Sequence, residues 1–233
     1  MNNHSFGCDF GSYHLKIYNR DADGYLMQHN MVAVQDKNKL LACGDEAYAM
    51  YEKAPANIHV GAPMSYGNLA SISNMQAFLK KLLEENIKGQ LKGVDFFVAL
   101  PTDMQERNFT MLIQDSAMKP KTVYLVDKPV AAGLGLGINV KEAQGVLIVD
   151  IGAETTEISV LSLGGTVISR LIQTGGRSID DAIQSAIRKE YSFFIGSKTA
   201  ENIKKELAYA IDSEEKTMQI CGRNMVVGLP QML

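Results

Sequence analysis

Two stretches of the chain set an acidic residue two positions ahead of a glycine, between β-forming runs. They are Phe6 to Tyr18, FGCDFGSYHLKIY, and Leu147 to Leu163, LIVDIGAETTEISVLSL. A tight Asp-x-Gly turn between strands presents backbone N–H groups that can cradle phosphate oxygens, and its carboxylate can hold a hydrated Mg²⁺ bridging them. Setting Asp9 on Asp150 (150 − 9 = 141) brings Gly11 onto Gly152, Ile17 onto Ile158 and Gly24 onto Gly165 without a gap. A single turn of this kind is ordinarily just a hairpin turn. Its recurrence in register, with the strands around it, marks an internal repeat, and two such turns facing each other would grip a triphosphate from both sides.

The elements that must position these turns can be read from periodicity. Ser5 to Cys8 and Leu15 to Tyr18 flank the first turn, and the DADG turn at Asp21 to Gly24 leads to a third strand at Tyr25 to Gln28, giving a β-meander. Gly44 to Ala70 is rich in Gly, Pro and Asn and reads mostly as loop, with a short helix at Asp45 to Tyr51. Met75, Phe78, Leu79, Leu82 and Leu83 share one helix face, capped by Ser71 or Ser73. Val94 to Leu100 is a buried strand stopped by Pro101. Thr102 and Gln105 then predict a capping box opening a helix through Ser116. Thr122 to Val126 is a strand, and Pro129 opens a helix to about Leu136.

The second copy predicts strands at Gly145 to Asp150, Thr155 to Leu163 and Thr166 to Gln173, with Gly164-Gly165 as the hairpin turn. Helices follow, one capped by Ser178 and one over Thr199 to Ala210, then a strand at Thr217 to Cys221. Hairpins alternating with helices and buried runs indicate α/β architecture.

At 233 residues, 46% hydrophobic and 21% charged, the chain has the composition of a globular protein with a packed core. A formal charge of −3 gives no footprint for nucleic acid. Cys8, Cys43 and Cys221 are odd in number and lack CxxC or nearby His spacing, so neither a disulfide framework nor a zinc site is expected, and a reducing cytosol fits. MNNHSFGC lacks a secretory apolar region, and no run approaches the roughly 18 apolar residues of a membrane span.

The chain resembles the bacterial actin-like proteins of the rod-shape-determining MreB family. Cys8 to Tyr18 is similar to the family's first phosphate motif, Val123 to Gly137 (VYLVDKPVAAGLGLG) to its connecting helix and Val149 to Glu157 (VDIGAETTE) to its second phosphate motif. Gly44 to Gly67, Ala200 to Lys204 (AENIK) and Ile195 to Gly228 agree as well, so the likeness runs nearly end to end. The resemblance implies a duplicated actin-like, ribonuclease H-like fold, with a first lobe over 1–140 and a partial second lobe over 141–233. It implies ATP and Mg²⁺ as cofactors and assembly into filaments beneath the cytoplasmic membrane. Asp9 would lie near the metal, Asp150 would organise its hydrated ion, and Gly11, Ser12, Gly152, Ala153, Glu154 and Thr155 would line the phosphates. Glu201 and Lys204 would approach the ribose or base. On the residues alone, that last pair reads first as a solvated helix face bearing an i, i+3 pair.

Three departures from the family bear on mechanism. Where the family has a water-orienting glutamate before the helix proline, this chain has Lys128, which cannot take a proton from water at neutral pH, so hydrolysis should be impaired. Ala153 and Glu154 replace glycines, removing freedom for φ > 0. Glu154 also adds a charge that would repel a phosphate about 4 Å away by around 4 kcal/mol at an effective dielectric near 20. Lys128 and Glu154 are therefore expected to pair inside the cleft. Third, in the family, chain past the position of Leu233 would complete the second lobe, supply an adenine-side loop and return a helix to the first lobe, so the sequence is expected to be either a fragment or a C-terminally truncated paralogue with half a nucleotide pocket.

The leading expectation is an MreB-like, cell-shape cytoskeletal protein with weakened ATPase activity, self-assembling or co-assembling with full-length relatives and meeting cell-shape and wall-synthesis membrane proteins. It would be cytoplasmic, at most peripheral at the inner face of the membrane. Against this stand a non-catalytic adaptor that binds an intact actin-like partner, a sugar-kinase-like phosphotransferase and a heat-shock-chaperone-like nucleotide domain. Lys128 argues against the phosphotransferase, which needs a catalytic carboxylate. For direct membrane contact the loop Gly89 to Gly93 (GQLKG) offers only Leu91.

Overall fold

Alternation of buried and more open side chains sets the central strands of the first sheet. In strand β1 (Ser5–Phe10), Phe6, Cys8 and Phe10 face inward while Gly7 and Asp9 point to the opposite face. The structure is a computed structural model that describes residues 5–36, 39–86, 93–114, 119–211 and 214–233. Strands β2 (His14–Asn19) and β3 (Gly24–His29) complete the expected meander. Next come β4 (Val32–Gln35), β5 (Lys39–Cys43), helix α1 (Asp45–Met50), β6 (Ile58–Gly61) and the small hairpin β7 (Met64–Ser65) and β8 (Asn68–Leu69). The segment expected to be mostly loop thus contributes three strands: β6 pairs antiparallel with β4, and β7 with β8.

Helix α2 (Ile72–Asn86) buries the five apolar residues expected of it. Strand β9 (Asp95–Leu100) follows, then α3 (Glu106–Gln114) and β10 (Thr122–Asp127). The sheet runs β10-β9-β1-β2-β3, with β9 parallel to both β1 and β10. Phe78, Phe96, Phe109, Leu15 and Ile17 fill the core between its inner face and the helices. The expected capping box fails, because α3 starts at Glu106 and Thr102 is bound to distant residues instead. Ser116 and residues 89–92 of the GQLKG loop lie outside the described residues.

Helix α4 (Lys128–Gly135) follows β10 directly, with Pro129 in its first turn. It packs on the second meander, β11 (Val146–Ile151), β12 (Thr156–Ser162) and β13 (Gly165–Ile172). Gly133 makes that packing close, since a Cβ there would lie 2.8 Å from Leu161 Cδ1 and 3.3 Å from Ile148 Cδ1. The hairpin turn is centred one residue earlier than expected. Leu163 (φ 51°) and Gly164 (φ 85°) form it, and Gly165 already pairs with Ser162.

The chain divides into two compact units, 1–173 and 174–233. The meander expected in a second lobe from residue 141 groups with the first unit through its contacts with α4. The second unit holds α5 (Gly176–Tyr191), β14 (Phe193–Phe194), α6 (Ser197–Leu207), β15 (Cys221–Asn224) and β16 (Pro230–Met232), around a core of Phe193, Ile195, Ala200 and Ile220. Ser178 is not the cap of α5. It sits three residues inside, and its Oγ accepts the Gly175 amide at 3.4 Å. Helix α6 begins and ends earlier than Thr199 to Ala210, and the last strand pair starts at Cys221, where the expected one ended.

Candidate functional site

The two Asp-x-Gly turns are closed by the same backbone hydrogen bond. Gly11 N donates to His14 O at 3.1 Å, and Gly152 N donates to Thr155 O at 2.8 Å. Asp9 lies across the ladder from Lys16, and Asp150 from Glu157, all at the 141-residue offset. A Cβ on Gly11 would stand 2.8 Å from His14 O, and one on Gly152 3.0 Å from Thr155 O, so a side chain at either position crowds the carbonyl that closes the turn. Ala153 and Glu154 do not take positive φ, so the loss of family glycines there carries no backbone strain.

Charge separates the two turns. Asp9 Oδ2 is held by Lys16 Nζ at 3.1 Å. The position opposite Asp150 is itself acidic, and its cation arrives from α4: Lys128 Nζ lies 2.7 Å from Asp150 Oδ2. This replaces the pair expected between Lys128 and Glu154. Burial pushes the Lys128 ammonium toward neutrality, but Asp9, Asp150 and Glu157 together outweigh it and hold its pKa above the ordinary lysine value.

Glu154 turns the other way. Its buried carboxylate accepts the Tyr66 amide, Oε2 to N 2.6 Å, while the adjacent Gly67 amide donates to Ser12 Oγ at 3.3 Å. The tip of the β7–β8 hairpin therefore bridges Ser12 of the first turn and Glu154 of the second. The repulsion expected from Glu154 is thereby moderated by a charge-assisted hydrogen bond. Glu157, 4% exposed, accepts the Thr102 amide at 2.7 Å, and Thr102 Oγ1 donates to Ser169 Oγ at 2.7 Å. Sequence reasoning missed Tyr66, Gly67, Thr102, Glu157 and Lys16. Of these, Lys16 and Glu157 were findable as the residues matched by the repeat offset.

Asp9, Lys128 and Asp150 line one cavity of about 450 Å³, together with Ala99, Ala132 and Ile148. A divalent ion does not fit this arrangement. Each aspartate already holds a lysine ammonium, and among the described residues no group of three or more His, Cys, Asp or Glu could hold a metal. In the second unit, Glu201 pairs with Lys205 at 2.7 Å, while Lys204 Nζ lies 2.8 Å from buried Asp180 and donates to Gly176 O at 2.9 Å.

A family model described as "MreB/Mbl protein" matches residues 3–233. The chain belongs to the MreB/Mbl family. Among MreB/Mbl relatives, the cell shape-determining protein Mbl of Bacillus subtilis (strain 168) is 34% identical over 233 residues, 97% of this chain and 69% of that protein. The cell shape-determining protein MreB of Escherichia coli (strain K12) is 32% identical over 243 residues, covering 99% and 69%. A crystal structure of MreB5 of Spiroplasma citri bound to AMPPNP superposes with a TM-score of 0.93 at 30% identity, over all of this chain and 71% of that one. The same protein bound to ADP gives 0.92. A MamK double helical filament, at 20% identity and a TM-score of 0.79, shares the fold. The architecture is actin-like. Among the described residues no helix is long and apolar enough to cross a membrane.

Proposed function

We propose that this MreB/Mbl-family chain is a cell-shape cytoskeletal protein that binds an adenine nucleotide against its paired turns and hydrolyses it poorly. The observation that carries the reading is the duplicated turn, with the same Gly amide bonded to the same carbonyl position in both copies. Gly11, Ser12, Gly152, Ala153 and Thr155 are the candidate phosphate contacts. Glu201 and Lys204 remain the candidate ribose and base contacts. The nucleotide-bound MreB5 structures support the same ligand class. Poor hydrolysis follows from Lys128, an ammonium bonded to Asp150 that offers donors where an attacking water needs an acceptor. Self-assembly, or co-assembly with full-length relatives at the cytoplasmic face of the membrane beside wall-synthesis proteins, belongs to the same proposal.

Calorimetric titration with ATP, beside single-turnover hydrolysis, tests it. Saturable micromolar binding with hydrolysis that rises about 10²-fold or more in Lys128→Glu supports the reading, since a positioned general base contributes on that order. Absence of binding favours a second reading, a non-catalytic adaptor. The hairpin bridge from Ser12 to Glu154 speaks for that alternative, because it takes up two polar groups of the turns. Co-sedimentation with a full-length relative would then distinguish the adaptor from an inert chain.

A further inference from the structure

We infer that Lys128 is the resident cation of this cleft, pairing with Asp150 beside the Lys16-held Asp9 in place of a divalent ion, so that the nucleotide of the proposed function is taken without metal. The second clause rests on that nucleotide reading, whereas the first stands on geometry alone.

Three observations carry it. The Lys128 ammonium is in direct contact with Asp150, 2.7 Å away, and lines the same cavity as Asp9. Its backbone is fixed, since Lys128 opens α4 immediately before Pro129, and Gly133 one turn later packs tightly against Leu161 and Ile148. Finally, a lysine in the first turn of a helix sits at the unfavourable end of the macrodipole, so carboxylates must hold it there. Asp150 and its cross-strand neighbour Glu157 form an acidic pair with no lysine of its own, unlike Asp9 and Lys16. The connecting helix supplies the missing positive charge as part of the chain. A divalent ion at Asp150 would have to displace that ammonium from the cavity it lines with Asp9.

The test is Mn²⁺ titration of the nucleotide-free protein followed by electron paramagnetic resonance, with Lys128→Met and Lys128→Glu compared after their folding is checked by circular dichroism. The unmodified chain is expected to bind no Mn²⁺ up to millimolar concentration, and the variants to gain one site at least tenfold tighter, Glu more than Met. Stoichiometric Mn²⁺ on the unmodified chain, unchanged in Lys128→Met, overturns the inference. Failure of both variants to gain a site also overturns it, because the carboxylates would then not be a cation position at all. In a second arm, ADP is titrated in Mg²⁺ and in EDTA. Affinities within about threefold are expected, and a dependence of tenfold or more on Mg²⁺ overturns metal-free binding. Absence of ADP binding in both buffers refutes the nucleotide reading, and with it metal-free binding, while the Mn²⁺ arm still decides the role of Lys128.

Discussion

Glu154 and Tyr66, 88 positions apart in sequence, meet at 2.6 Å, carboxylate oxygen to backbone amide. This contact explains why a glutamate is tolerated in a phosphate-type turn: its charge is directed to the tip of a neighbouring hairpin. Glu154→Gly should release the hairpin at a cost of about 1.5–3 kcal/mol, the range for hydrogen bonds to charged groups. Amide exchange at Tyr66 and Gly67 should quicken at least tenfold. Glu154→Gln, which keeps an acceptor, should fall between. Unchanged exchange in Glu154→Gly would rule the contact out.

Gly11→Ala and Gly152→Ala should each destabilise the first unit by about 1–3 kcal/mol, because the added methyl meets a rigid backbone carbonyl. Urea denaturation should show the two losses to be similar, as the turns repeat each other. An alanine tolerated at one position and not the other would argue against equivalent turns.

The Lys128 pKa is raised, so its stabilising contribution is complete below the unfolded lysine value near 10.4 and is lost as pH climbs through the higher folded value. Lys128→Met should therefore cost a constant amount from pH 7 to about 10 and progressively less above it. Because Lys128 and Asp150 keep 24% and 36% of their side-chain exposure, about 1–2 kcal/mol is expected rather than the full penalty of a buried pair. A loss that grows with alkalinity would show the opposite linkage.

In the second unit, Lys204→Met leaves Asp180, 7% exposed, without its ammonium partner. A loss of about 2–4 kcal/mol is expected, and Asp180→Asn in the same background should recover part of it. Equal stability of the single and double variants would refute the pairing.

The repeat was legible in the sequence because both ends of each turn are under local constraint. Asp and Gly must stand two apart, and Gly24 and Gly165 mark equivalent points at the following hairpins. Helix α2 was legible from one uninterrupted apolar face. Strand β6 was not, because a four-residue strand set among Gly, Pro and Asn looks like loop until its pairing with β4 is seen. Thr102 misled as a cap because its amide and hydroxyl serve Glu157 and Ser169, more than fifty residues away. The partner of Lys128 was misjudged for the same reason. Periodicity tells which face a side chain occupies, but not which of several carboxylates on neighbouring strands it will reach.

The sign inversion across the repeat, lysine opposite Asp9 and glutamate opposite Asp150, gives the cleft a handedness of charge. One wall is electrically self-sufficient, and the other borrows its balance from a helix. Any tilt of α4 that draws Lys128 away would therefore leave the first wall neutral while polarising the second. The connecting helix thus carries the charge balance of one wall and not of the other.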